Sequence, residues 1–262
     1  MNQKAPSLEV LFTPADFAAL AQRDLSRSIC ITFDVLRATT TIVTALANGA
    51  ASIIPVAEIG EALEYKQRRP DVLLAGERDG WRICASQTGG IDFDLGNSPR
   101  EFTPERVRGR DIVITTTNGS RALRACAQAQ QTLAASFRNL QATADWVISS
   151  SAENWILVCS GTGREAAFED LLGAGALAAL LWPPDPDQVT DSAWLARQVY
   201  DQHQGDLMGA MRFSRNGRRL LGMAELKEDV AYCLQLDTSR IVAAMRTDGV
   251  IITAGCHDPQ LK

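Results

Sequence analysis

Five polar clusters in this chain each follow an apolar run, and their residue types are those that hold oxyanions and hard cations. The first is FDVLRATTT, residues 33–41. It offers a carboxylate at Asp34, a fork-shaped anion binder at Arg37 and hydroxyls at Thr39, Thr40 and Thr41. LLAGERDG, residues 73–80, ends in adjacent Glu77 and Arg78, whose side chains leave a strand in opposite directions. Glu77 could ligate a metal while Arg78 holds an anion. DFDLGNSP, residues 92–99, adds Asn97 and Ser98 in a turn sequence. ITTTNGSRAL, residues 114–123, runs Thr116, Thr117, Asn118, Gly119 and Ser120 straight into a helix. Free N–H groups at that helix start, with hydroxyls around them, predict a phosphate or sulfonate cradle, and Gly119 permits close approach. The last cluster, residues 159–175, carries Gly161, Arg164, Glu165, Glu169 and Asp170. Glu169 and Asp170 stand at the margin of a wholly apolar helix, where a carboxylate needs a partner such as a metal ion.

Several chemistries fail on spacing. A Cys-x5-Arg loop would hold phosphate beside a thiolate, but Cys159 to Arg164 is one residue short and Cys30 to Arg37 one too long. An Asp-x-Asp pair is missing, because Val35 and Leu36 follow Asp34. No Gly-Lys-Ser/Thr phosphate loop and no GxGxxG occurs. His203 and His257 are the only histidines, and neither ends a strand. The six cysteines form no CxxC pair. What survives is carboxylate and hydroxyl chemistry, which suits Mg²⁺. The candidate ligands are Asp34, Glu77, Glu169 and Asp170.

These clusters need strands to carry them. Ser28–Leu36 is almost uncharged and β-branched, as a strand buried on both faces would be. Ala51–Val56, Val72–Glu77, Asp111–Thr117, Thr132–Ser136 and Trp155–Cys159 read as further strands, and Leu8–Phe12 as an edge. Helical stretches alternate with them. The pattern predicts a three-layer α/β/α fold with a largely parallel, mixed sheet. After the proline-rich WPPDPD, residues 182–187, the pattern is helical to about Leu234, and two short strands close the chain. One domain over residues 1–262 is expected, with residues 188–237 as a candidate helical subdomain.

The chain has 262 residues, a formal net charge of −5 and 46% hydrophobic residues. That is an ordinary globular composition with no basic surplus for nucleic acid. Its N-terminus lacks an apolar signal core, and LLGAGALAALLW, residues 171–182, is too short to span a bilayer. A cytoplasmic protein with cysteines reduced is the expectation, with no membrane partner and a homo-oligomer left open.

In this order, FDVLRATTTIVTALANGA, AGERDG, DFDLGNSP, ITTTNGSRAL and GTGREAAFEDLLGAG resemble the 2-phosphosulfolactate phosphatase family, as does FSRNGRRLLGMAELKEDVAYCLQLD, residues 213–237. The resemblance covers nearly the whole chain. It implies a three-layer fold and Mg²⁺-dependent hydrolysis of a small anionic phosphoester, (2R)-2-phospho-3-sulfolactate, to 3-sulfolactate and phosphate, a step towards coenzyme M. For metal-assisted hydrolysis of this kind, Asp34, Arg37 and Glu169 are the expected catalytic residues, the carboxylates on the metal and Arg37 on the charge of the transferring phosphoryl group. The stretch from Gly80 to Asp94, with CASQTGG inserted, is longer than the family pattern. It lies near an expected site wall, so another small phosphorylated hydroxy acid, or anion binding without hydrolysis, are the alternatives.

Overall fold

Successive side chains leave a strand on opposite faces, and along β2 (Ser28–Phe33) both faces are apolar. Ile29, Ile31 and Phe33 enter one core; Cys30 enters another on the opposite side. This protein is described by a computed structural model over residues 5–183 and 185–255. The other strands are β1 (Ser7–Leu11), β3 (Ser52–Val56), β4 (Leu73–Arg78), β5 (Trp81–Arg82), β6 (Asp111–Thr115), β7 (Gln131–Ala135), β8 (Asn154–Cys159), β9 (Ala243–Met245) and β10 (Ile251–Thr253). They form one sheet in the order β1-β8-β2-β7-β9-β10-β3-β6-β4-β5. Two blocks are parallel: β1, β8, β2 and β7, and then β3, β6 and β4. The β9–β10 hairpin joins them with antiparallel pairs on both sides.

Helices cover both faces, as the alternating sequence predicts. Those of seven residues or more are α1 (Ala38–Ala47), α2 (Ile59–Arg68), α3 (Gly119–Ala125), α4 (Leu140–Ile148), α5 (Phe168–Leu181), α6 (Asp191–His203), α7 (Arg215–Leu221) and α8 (Lys227–Cys233). Ala144 of α4, Leu172 and Leu177 of α5 and Ala193 of α6 pack with Ile31, Phe33 and Leu157. Ala122 of α3 packs on the other face with Cys30, Ile156 and Val158. Leu220 of α7 and Val230 of α8 join the first of these cores, so the C-terminal helices share their interior with the sheet. No helix among the described residues is long and apolar enough to cross a membrane. His203 lies in α6 against the rings of Phe168 and Phe213; His257 and Cys256 fall outside the described residues.

A buried ion pair fastens these C-terminal helices to the loop after β2. Arg37 Nη1 donates to Asp229 Oδ2 at 2.6 Å, with side chains 2% and 0% exposed. Asp229 Oδ1 also accepts from Ser98 Oγ at 2.7 Å. The Leu36–Arg37 peptide beside it is cis.

Two substitutions test this packing. A Cβ on Gly175 of α5 would stand 2.1 Å from the Ala196 carbonyl oxygen of α6. We predict that Gly175→Ala lowers stability by about 1–3 kcal/mol, read by urea denaturation, because backbone must move to admit the methyl. Asp229→Ala leaves a buried guanidinium without its partner. It is expected to cost about 3–5 kcal/mol, with Arg37→Met/Asp229→Leu costing less than the single change. A double variant less stable than Asp229→Ala would refute the pairing argument.

Candidate active site

The segments that leave β2, β4, β6 and β8 meet in one pocket of about 140 Å³, closed by α7. Asp34 follows the fully buried Phe33 and is 8% exposed. Its Oδ1 accepts from Ala38 N at 3.1 Å, at the start of α1. The start of α3 approaches from the other side. A Cβ on Gly119 would lie 2.6 Å from Asp34 Oδ2, so this close approach requires glycine. Burial raises the Asp34 carboxyl to about 6, helped by the negative charges of Glu77 and Glu169 and opposed by the N–H groups of Ala38 and Gly119.

The segment read as an anion cradle is thus already holding anions, and they are the protein's own. Gly119 faces Asp34. Thr117 donates to Glu77 Oε1 through both N (2.8 Å) and Oγ1 (2.9 Å). Thr116 and Ser120 close on each other, Ser120 N donating to Thr116 Oγ1 at 3.2 Å and Thr116 N to Ser120 Oγ at 3.1 Å. Glu77 Oε2 accepts from Gly80 N at 2.8 Å, which shapes the turn after β4.

Glu169 and Asp170 are neighbours with different surroundings. Glu169 accepts from Ser214 Oγ at 2.6 Å and from Asn216 Nδ2 at 2.7 Å, just behind the pocket wall. Asp170 accepts from Val35 N (2.8 Å), Ser160 Oγ (3.0 Å) and Gly161 N (3.1 Å). Those bonds pin the loops after β2 and β8 together, and Asp170 does not line the pocket. Burial, then Glu169 and Asp34, push its carboxyl well above the usual range. Gly161 has φ +70°, and a Cβ there would meet Glu165 O at 2.5 Å, so glycine is needed for the turn itself.

The hydroxyls and cations named from the sequence divide in the same way. Thr39 Oγ1 accepts from Asp34 N, Thr40 Oγ1 donates to Val35 O, and Ser98 Oγ donates to Asp229. Both threonines are fully buried and hold the loop rather than face the pocket. Arg78 turns away from Glu77, as strand alternation requires, and donates to Thr115 Oγ1 at 3.0 Å. Arg164 is exposed and does not line the pocket. Arg37 does line it, with Nη2 on Gly80 O at 2.7 Å and Nη1 on Asp229. Thr117 and Asn118 also reach it. Asn97 is 5% exposed, and its Oδ1 has no partner. It separates this pocket from a second cavity of about 340 Å³ that includes Trp81 and Arg82. Three residues that the sequence reading did not single out belong to the site: Asn216 and Arg219 in its wall and Asp229 behind Arg37.

Asp34, Glu77, Glu169 and Asp170 are each at most 8% exposed, and none forms a salt bridge with Lys or Arg among the described residues. Among the described residues, no three His, Cys, Asp or Glu side chains converge as a preformed metal cage. The donor set fits Mg²⁺ in its usual manner, in which one or two carboxylates bind the ion and water and substrate phosphate complete its shell. Asp34 and Glu77 are the two that line the pocket.

Residues 16–248 match the 2-phosphosulpholactate phosphatase family. A protein of Caldanaerobacter subterraneus subsp. tengcongensis named "Probable 2-phosphosulfolactate phosphatase" is 35% identical over 246 residues, which are 93% of this chain and 98% of that protein. Proteins of the same name from Synechococcus sp. (strain JA-2-3B'a(2-13)) and Thermotoga maritima are 39% and 37% identical. These matches cover 86% and 85% of this chain, and 91% and 90% of those proteins. On a match of this extent, the chain belongs to the 2-phosphosulpholactate phosphatase family.

Proposed function

We propose that this protein is an Mg²⁺-dependent phosphatase that hydrolyses (2R)-2-phospho-3-sulfolactate to 3-sulfolactate and phosphate. Family membership supports the substrate. The observation that carries the mechanism is the group of buried carboxylates at the pocket, none of them ion-paired with a Lys or Arg among the described residues. Asp34 and Glu77 would hold Mg²⁺, with Glu169 adding negative charge behind them. When bound, the ion would offset charge on the phosphate oxygens and lower the pKa of water.

The chain's own residues then have distinct tasks. Asp34 is fixed by two helix starts, so its free lone pairs face the pocket in one orientation. Arg37 uses two of its N–H groups on Asp229 and Gly80. A guanidinium has five, and those remaining on the pocket side would stabilise charge on the transferring phosphoryl group. In the overall step a water oxygen bonds to phosphorus, the bond from phosphorus to the C2 oxygen breaks, and that oxygen takes a proton. Free cysteines, four of the five described being buried, fit a reducing cytoplasm.

The direct test is phosphate release in Mg²⁺, in EDTA, and in EDTA followed by excess Mg²⁺. Release is expected in the first and third. A panel of 2-phosphosulfolactate, 2-phospholactate and phosphoglycolate assigns the substrate. Preference for either of the last two moves it to another phosphorylated hydroxy acid. No release from any of them leaves an anion-binding protein.

Asp34→Asn separates function from stability. The folded chain raises this carboxyl from 3.8 to about 6 and so binds its proton more tightly than the unfolded chain does. Its contribution to stability is therefore full below 3.8 and is lost as pH rises through 6. Near pH 7 the ionised group costs on the order of 3 kcal/mol. In EDTA at that pH, Asp34→Asn is expected to melt above the wild type, and the gap should close towards pH 4. Turnover should fall by at least about 100-fold. Near-normal turnover would remove Asp34 from the chemistry.

A further inference from the structure

We propose that Arg219 is the specificity residue that holds the oxyacid group, sulfonate or carboxylate, that the substrate carries beside its phosphate. This rests on the phosphatase reading above. The arginines around the pocket differ in what each one touches. Arg37 is neutralised by Asp229. Arg78 is bonded to Thr115 on the far side of its strand. Arg215 pairs with Glu165, and Arg218 donates to the Arg212 carbonyl at 2.7 Å. Arg219 lines the pocket, yet its guanidinium makes no hydrogen bond and no salt bridge to any described residue, while its backbone carbonyl accepts from Gly222 N. Its Nη2 would be 3.5 Å from a Cβ on Gly80, so the guanidinium lies over the turn that Glu77 closes.

Its position is electrostatically specific. Asp34, Glu77 and Asp79 face the same pocket, but none comes within ion-pair distance. The fork therefore stays open beside a pocket whose N–H groups already serve Asp34 and Glu77. A planar guanidinium binds a carboxylate or sulfonate through paired N–H groups. A basic residue in the last turn of α7 also suits that helix's dipole, but this does not require it to turn into the pocket.

The experiment compares wild type, Arg219→Ala and Arg219→Lys on four phosphoesters in Mg²⁺. They are 2-phosphosulfolactate, 2-phospholactate without the sulfonate, phosphoisethionate without the carboxylate, and ethyl phosphate with neither. Arg219 is exposed, so its replacement should leave the fold intact. For 2-phosphosulfolactate, Arg219→Ala is expected to raise KM about 10- to 100-fold with a much smaller change in kcat. The penalty should shrink by about tenfold or more on ethyl phosphate, and whichever truncated ester escapes it identifies the group held. Arg219→Lys should recover part of the loss. An equal loss on all four esters, or no loss on any, overturns the assignment. If the wild type hydrolyses none of them, the phosphatase reading has failed by itself. Arg219 is then judged by the thermal shift with 3-sulfolactate: a shift lost in Arg219→Ala supports it, and a shift retained refutes it.

Discussion

A phosphate-binding pocket and a carboxylate-rich pocket want the same donors. Backbone N–H groups at helix starts attract any oxyanion, whether it comes from a substrate or from the protein. In this chain the protein's own carboxylates have taken them. The start of α1 and the start of α3 both point at Asp34, and Thr117 and Gly80 close on Glu77. Glu169 adds further negative charge beside them. Ordinary helix-terminus attraction therefore makes this pocket hostile to an anionic ligand until cations enter. On the proposed reading, Mg²⁺ and Arg219 belong together: each would supply charge that the backbone no longer has to give.

The fold's task is to hold these carboxylates together despite their repulsion. β2 and β8 are apolar on both faces, so their ends are fixed by two cores rather than one. Asp170 then locks the loops that leave those two strands, using three donors from them. Gly119 removes the one side chain that would keep α3 away from Asp34. On the remaining side, α7 and α8 are tied down by Ser214 and Asn216 on Glu169 and by the Arg37–Asp229 pair. The C-terminal helices thus form one wall of the pocket and share the interior of the sheet.

How much of this is legible in the sequence depends on the range of the interactions. The strands show themselves, because SICITF and DIVIT are buried by their own composition, and polar strand ends mark where chemistry collects. The roles of neighbouring residues do not show. Glu169 and Asp170 differ by one position, yet helix rotation sends one to Asn216 and the other to Val35. The run Thr39–Thr41 reads as a ligand cradle, but its hydroxyls bond to loop carbonyls and amides whose approach is a tertiary matter. Arg219 and Asp229 sit in seven-residue helices rich in charge, where a pocket residue and a solvated one look alike. The β9–β10 hairpin reads as two strands, but its place between the parallel blocks depends on register with β7 and β3.

The net charge of −5 fits the same logic. A chain that bound anions through a basic surface would attract every phosphorylated metabolite and polyanion in reach. This one keeps buried carboxylates at the centre without ion pairs among the described residues, while Arg37 and Arg215 near them are paired with Asp229 and Glu165. On the proposed reading, an anion would gain a foothold only where a divalent ion and an open guanidinium stand at once. A phosphate alone meets one of these and a simple acid the other. Two anionic groups on one small molecule would meet both, so selectivity would be set by the spacing between two cations. Affinity for a single phosphate can then remain weak.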